Sequence, residues 1–448
     1  MLPFFAYCLT LWGIDDNIYC MKNDIKLKNL KGTVDYLPKE QILREKVFAT
    51  LKEVFKKYGF LPLDSAILCP FELLASKYAG GAEILKEVYK LKDQGERDLG
   101  LRYDLTVPFS KVIASNQNLT LPFRRYEIGK VFRNGPVKLG RMREFYQCDI
   151  DACGIEGNLV EVEFFQMALE GYRKLGLDVE VKWSNRKYLS GLIEESGVAN
   201  ELTSKVILTL DKLEKIGRID VEKELETLGL SKEKVSKLFD FLEITNVEEL
   251  LEKDVNETLK DGCNQVVQIK KLIGELGLSD CVFLPTLARG LEIYTGTVWE
   301  ISDKTGRISS SLGGGGRYDE IIGKFIDNGN KYPALGMSFG IEPICVLLEQ
   351  NSEEFSPFDV LVFGFEQNAE VLKVASNLRQ NGINAVVEFK NKKLKKALDY
   401  ANNQNVPFVA ILGEDEIKEN KIMLKNMKQG TQEKVSIEEA VILINKEK

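Results

Sequence analysis

Residues 124–151 read RRYEIGKVFRNGPVKLGRMREFYQCDID, a segment that sets guanidinium groups beside carboxylates on a strand-like alternation. Arg133, Arg141 and Arg143 supply fixed charge and planar donors matched to phosphate oxygens. Phe145 offers a flat face to a base, and Asp149 and Asp151 offer anions to an amine. These residue types suit a site that holds a nucleotide and a zwitterion together. The 448 residues include no histidine. A histidine general base, a histidine metal ligand and a serine–histidine triad are therefore excluded. Arginine, carboxylate, tyrosine or a bound metal must carry the chemistry.

The elements that position these groups are legible in outline. From residue 39 to 58, Leu43, Val47, Phe48, Leu51, Val54, Phe55 and Tyr58 recur at three and four, which predicts a helix with one apolar stripe, stopped by Gly59. The following GFLPLDSAIL alternates toward a strand. Strand-like runs at 99–107, 123–133, 144–152, 179–183, 297–301 and 308–313 are separated by turn residues and interleaved with helices, which predicts an α+β fold with a largely antiparallel sheet. Between 185 and 276 the sequence turns charged and helix-favouring, as an insertion would. After residue 356, apolar runs alternate with helix-like stretches, which predicts a small α/β module. Gly313 to Gly316 lack both a P-loop ending and GxGxxG spacing. Backbone crowding that leaves no room for Cβ accounts for them better than a phosphate cradle does.

Composition bounds the rest. An apolar content of 44% and a charged content of 29% describe an ordinary globular chain of two to four domains. A net charge of −7 gives no global footprint for RNA, so nucleic-acid contact falls to local patches such as 22–31 and 390–396, each of which is also readable as a solvated face. Eight cysteines form no CxxC pair, which fits reduced thiols of a cytoplasmic protein and offers no cysteine or histidine metal site. Residues 1–24 read as a doubtful leader, too short in its apolar run to span a bilayer, with Met21 as the expected start.

The segment 124–151 resembles motif 2 of class II aminoacyl-tRNA synthetases, and REFYQCDID resembles its histidyl-tRNA synthetase version. LARGLEIYTGTVWE (287–300) is similar to a segment peculiar to the histidine-specific enzymes, and GGGGRYD (313–319) to its companion strand. The resemblance implies an ATP- and Mg2+-dependent ligase that joins L-histidine to tRNA(His) as a homodimer. Its catalytic core would occupy 25–184 and 277–352, its helical insertion 185–276 and its anticodon-binding domain 356–448. It makes Arg133 and Arg289 the catalytic arginines at the α-phosphate. Arg141, Arg143 and Phe145 join them around ATP, and Asp104, Thr106, Gln147, Asp151, Tyr294 and Tyr318 surround histidine. The helix and strand that open the core resemble motif 1, the dimer-forming element.

Departures accompany the match. Ala66 stands where relatives usually carry proline, and Gly135 and Met142 where many carry Glu and Tyr. Residues 333–348 resemble motif 3, but Pro343 replaces the arginine that most class II enzymes direct at the γ-phosphate. Either other cations or magnesium serve ATP here, or activation is lost and the chain is an inactive paralogue. Such a paralogue would sense histidine or uncharged tRNA, as the regulatory subunit of ATP phosphoribosyltransferase exemplifies. The absence of histidine has two readings: a synthetase that can be translated when its own product is scarce, or compositional drift.

Overall fold

The computed structural model describes residues 27–76, 82–116, 118–137, 141–244, 246–288, 293–326, 328, 330–349, 356–365, 369–390 and 393–447. The expectations for the leader and for Arg289 lie outside these residues. Packing divides the chain into two compact units, residues 43–345 with the stretch before 37, and residues 346–448 with 37–42.

The first unit opens with α1 (Pro38–Lys57), then β1 (Leu61–Pro62), β2 (Leu68–Pro70), α2 (Phe71–Ser76), α3 (Ala82–Glu87), β3 (Lys90–Lys92), β4 (Asp98–Leu101) and α4 (Thr106–Ser115). The long hairpin β5 (Phe123–Phe132) and β6 (Glu144–Cys153) leads to α5 (Leu159–Lys174) and β7 (Val179–Asn185). Helices α6 (Arg186–Glu195), α7 (Asn200–Leu210), α8 (Leu213–Ile216), α9 (Arg218–Thr227), α10 (Lys232–Leu242), α11 (Glu248–Leu251) and α12 (Glu257–Glu275) follow without a strand among the described residues. The unit closes with β8 (Cys281–Phe283), β9 (Thr297–Asp303), β10 (Gly313–Arg317), α13 (Ile321–Ile326), β11 (Ala334–Gly340) and α14 (Ile341–Glu349).

Eight strands form one sheet in the order β1-β5-β6-β11-β10-β9-β7-β8. Its pairs are antiparallel except β1 with β5 and β7 with β8. Side chains alternate across a strand, so the register divides β5, β6 and β11 into two unlike faces. On one, Phe55 of α1 packs at 5.5 Å from Tyr126 and 5.4 Å from Phe339, while Phe165 of α5 meets Trp299 at 5.4 Å. Val47, Leu51, Val54 and Phe55 of the α1 stripe are all fully buried there, and Gly59 takes a φ of 76° past the helix end, where glycine is unstrained. The other face carries Arg125, Glu127, Gln147, Asp149, Asp151, Ser338 and glycines. The helical stripe is therefore the support for a polar surface one strand thickness away.

Two strand expectations shift. The run at 99–107 ends at Leu101, because Asp104 accepts a hydrogen bond from the Val107 N–H at 2.9 Å as α4 begins. The run at 308–313 moves on to Gly313–Arg317, where the glycines pair with β9 and β11 on both sides. A Cβ at Gly315 would lie 2.0 Å from the Gly336 carbonyl oxygen, and one at Gly316 2.5 Å from the Tyr294 ring. Close packing against backbone and ring accounts for the glycine run.

In the second unit, β12 (Val360–Gly364), α15 (Ala369–Gln380), β13 (Ala385–Val387), α16 (Leu394–Asn403), β14 (Phe408–Leu412), α17 (Glu414–Lys418), β15 (Ile422–Asn426), β16 (Gln432–Val435) and α18 (Ile437–Lys446) build a sheet ordered β13-β12-β14-β15-β16. Val360 and Val362 face α15 and α18, and Leu361 and Phe363 face α16, so this mixed sheet is buried on both sides.

Candidate functional site

The polar face of β5 and β6 holds a buried charge network. Register sets Arg125 opposite Asp151 and Glu127 opposite Asp149. Arg125, wholly buried, ion-pairs through Nη2 with Asp151 Oδ2 at 2.7 Å and donates to the Leu105 carbonyl at 2.9 Å. Burial opposes its charge, but Asp151, Asp149 and Glu127 outweigh that and hold the guanidinium above its ordinary value. Tyr318 donates its hydroxyl hydrogen to Asp151 Oδ1, and burial together with Asp151 pushes this phenol well above its usual range. Two donors, one on β5 and one just past β10, thus fix the Asp151 carboxylate.

Beside it, the Gln147 amide lies 3.3 Å from Asp149 Oδ2, and its own Oε1 is buried without a hydrogen-bond partner among the described residues. Burial raises the Asp149 carboxyl to about 7; Arg125 pulls it down, and Asp151 and Asp104 add to the rise. Arg102 braces the floor through Glu127 at 2.8 Å and the Ser65 carbonyl at 2.8 Å. Asp104 acts on Asp149 through its charge and the Leu105 carbonyl accepts from Arg125, while Thr106 opens α4 and its carbonyl accepts from the Ser110 hydroxyl. Tyr294 and Tyr318 join one apolar cluster with Phe109 and Ile322.

The phosphate-type residues gather where the hairpin turns. The Arg133 guanidinium sits 4.4 Å from the Tyr103 ring and 5.0 Å from the Phe145 ring, and Nε donates to the Tyr103 carbonyl at 3.3 Å. Arg143 donates through Nε to the Gly135 carbonyl at 3.3 Å. Arg141, half exposed, reaches Glu87 at 3.0 Å. In α14, Glu342 pairs with Arg44 of α1 and accepts from the Tyr36 hydroxyl at 3.2 Å, and Pro343 follows within the first turn. The stretch that resembles motif 3 therefore contributes a partly buried acid to a brace on α1.

Arg125, Glu127 and Ser338 are absent from the sequence-based site, which named Asp149 only as an anion for an amine. Alternation of R-x-E against D-x-D in adjacent strands is the available signal, since paired opposite charges at period two share one face. Arg102 and Glu87 lie outside any such pattern and are brought in by tertiary packing.

A family model described as histidyl-tRNA synthetase matches residues 32–344, and one described as an anticodon binding domain matches residues 358–447. Histidine–tRNA ligase 1 of Bacillus cereus is 45% identical over 419 residues, covering 92% of this chain and 98% of the relative. Histidine–tRNA ligase of Clostridium tetani is 36% identical, covering 95% of this chain and 99% of the relative. The crystal structure of histidyl-tRNA synthetase from Nostoc sp. PCC 7120 superposes with a TM-score of 0.83 at 29% identity, covering 95% of this chain and 100% of that one.

Proposed function

The chain belongs to the histidyl-tRNA synthetase family of class II aminoacyl-tRNA ligases, and we propose that it activates L-histidine with ATP to histidyl-adenylate and transfers the histidyl group to tRNA(His). In the first step a histidine carboxylate oxygen attacks the α-phosphorus while the bond to pyrophosphate breaks. Negative charge grows on the phosphate oxygens, and fixed guanidinium groups stabilise it without reorganising. Arg133 and Arg289 take that role, Phe145 lies against the base, and Arg141 and Arg143 meet the outer phosphates. Magnesium bound to ATP would supply further screening of the triphosphate charge. These cations stand in for the guanidinium that Pro343 replaces.

One observation carries the amino-acid half of the reading: the sheet face and the segment between β4 and α4 bury four carboxyl groups, Asp104, Glu127, Asp149 and Asp151, against two guanidinium groups, Arg102 and Arg125. A buried excess of anions is costly until a cation joins it. The α-ammonium of histidine supplies that cation to Asp104, Thr106 and Gln147, whose partnerless Oε1 is an acceptor waiting for an N–H. Asp151 and the phenols of Tyr294 and Tyr318 then meet the imidazole. An apolar side chain of equal size would make none of the hydrogen bonds that the imidazole offers this polar pocket, a loss of roughly 1–3 kcal/mol.

Transfer to tRNA engages the C-terminal unit. A second copy of the chain would cover Leu61, Ile67 and Leu68, which are exposed on β1 and at the start of β2. The reaction belongs to the cytoplasm, where charged tRNA is used. Histidine-dependent exchange of labelled pyrophosphate into ATP tests the whole reading. Exchange is expected. Its absence alongside intact histidine binding would make the chain a non-catalytic histidine sensor instead.

A further inference from the structure

The motif 2 hairpin leans on a residue from outside it. Glu87 ends α3, and its carboxylate accepts from Arg141 Nη2 at 3.0 and 3.2 Å and from the Tyr103 hydroxyl at 3.0 Å. Its carbonyl oxygen accepts the Asn134 N–H at 2.6 Å, so main chain and side chain grip the same turn. The Tyr103 ring in turn carries the Arg133 guanidinium at 4.4 Å. One carboxylate thus orders two of the cations assigned to ATP, Arg141 directly and Arg133 through Tyr103. The Glu87 side chain is only 21% exposed while that of Arg141 is 49% exposed, so the acid is an anchor beneath and the guanidinium faces solvent. Both contacts use Nη2, one nitrogen of a fork with five donors, which leaves the fork able to grip phosphate as well.

The space is informative. A Cβ built at Gly135 would stand 2.7 Å from Glu87 Oε1. The backbone there avoids the left-handed region, so conformation does not demand glycine. A side chain at 135 would have to displace the Glu87 carboxylate, which already occupies its place.

We propose that Glu87 is a positioning residue of the nucleotide site, supplying from α3 the carboxylate that this chain lacks at position 135 and holding Arg141 oriented for the phosphates of ATP. An arginine ordered beforehand loses less rotamer freedom on gripping a phosphate, so the benefit appears in ATP affinity. The inference rests on the ATP-dependent reading above and deepens it.

The experiment compares wild type, E87Q, E87A, G135E and the double variant E87A/G135E, all as full chains. It reads the Kd for ATP by calorimetry and the KM for ATP and histidine in pyrophosphate exchange. E87Q and E87A should weaken ATP binding about tenfold, as expected for losing a charge-assisted contact, with KM for histidine unchanged. G135E alone should also weaken it, by crowding two carboxylates. The double variant should bind ATP better than either of its parents, because the acid at 135 enters the vacated place. The proposal is overturned if E87Q keeps the wild-type Kd for ATP, or if the double variant is no better than E87A. Wild type that binds ATP without exchange would instead sink the ligase reading, which keeps the two failures apart.

Discussion

Asp149 holds its proton more tightly in the folded protein than in the unfolded chain, because burial lifts the carboxyl from 3.8 to about 7 against the pull of Arg125. The groups facing it are Gln147 and Asp151 on its own strand, Arg125 and Glu127 on β5, Ser338 on β11, and Asp104 before α4. A raised folded pKa contributes stability that is complete below the unfolded value and is lost as pH rises through the folded one. Melting temperatures measured from about pH 5 to about pH 8 should therefore fall more steeply for wild type than for D149N; parallel curves would contradict this. Asp151 has a different cost. D151A takes the nearer carboxylate from buried Arg125, leaving Glu127 at 3.5 Å, and should lose about 3–5 kcal/mol in denaturant unfolding, whereas Y318F removes one hydrogen bond and should lose about 1 kcal/mol. Equal losses would show that Arg125 finds another partner. Asp151 and Tyr318 could be singled out in the sequence because they sit in motifs. Arg125 could not, since a charged strand residue reads as exposed until a facing acid is known.

At the scale of elements, α1 was plain in the sequence because a single stripe at helical spacing has one structural meaning. Its burial makes it a sensitive support: F55A empties contacts to Tyr126 and Phe339 and should cost about 3–5 kcal/mol. Chemical denaturation reads this, and a loss under about 1 kcal/mol would mean that the helix settles into the gap. Strands β10 and β11 were harder to see. Glycine has little preference for a strand, so Gly313–Arg317 is a strand only because β9 and β11 pair with it on both edges. Partners far away in the chain make that decision, and a local pattern does not contain them. The boundary at Leu101 is of the other kind. Asp104 sits three residues before Val107 as a cap would, so its carboxylate has a structural role beside the one that the resemblance implies.

At the scale of the molecule, the α+β class and the C-terminal α/β module followed from element order, which short loops and alternating patterns make visible. The second unit encloses apolar cores on both faces of its own sheet. Truncation after Glu349 should leave histidine-dependent pyrophosphate exchange within about threefold of the full chain, while histidylation of tRNA falls at least about a hundredfold. Equal loss of both would tie adenylate formation to the C-terminal unit. The floor beneath the acid cluster is main chain at Gly316 and Gly336, where an added methyl group would run into Tyr294 or Asp151. Nothing can be trimmed from a glycine. Evolution or engineering can therefore add to these positions only by displacing the acid or the ring above them, and a different taste in the proposed amino-acid site would have to be acquired at its rim.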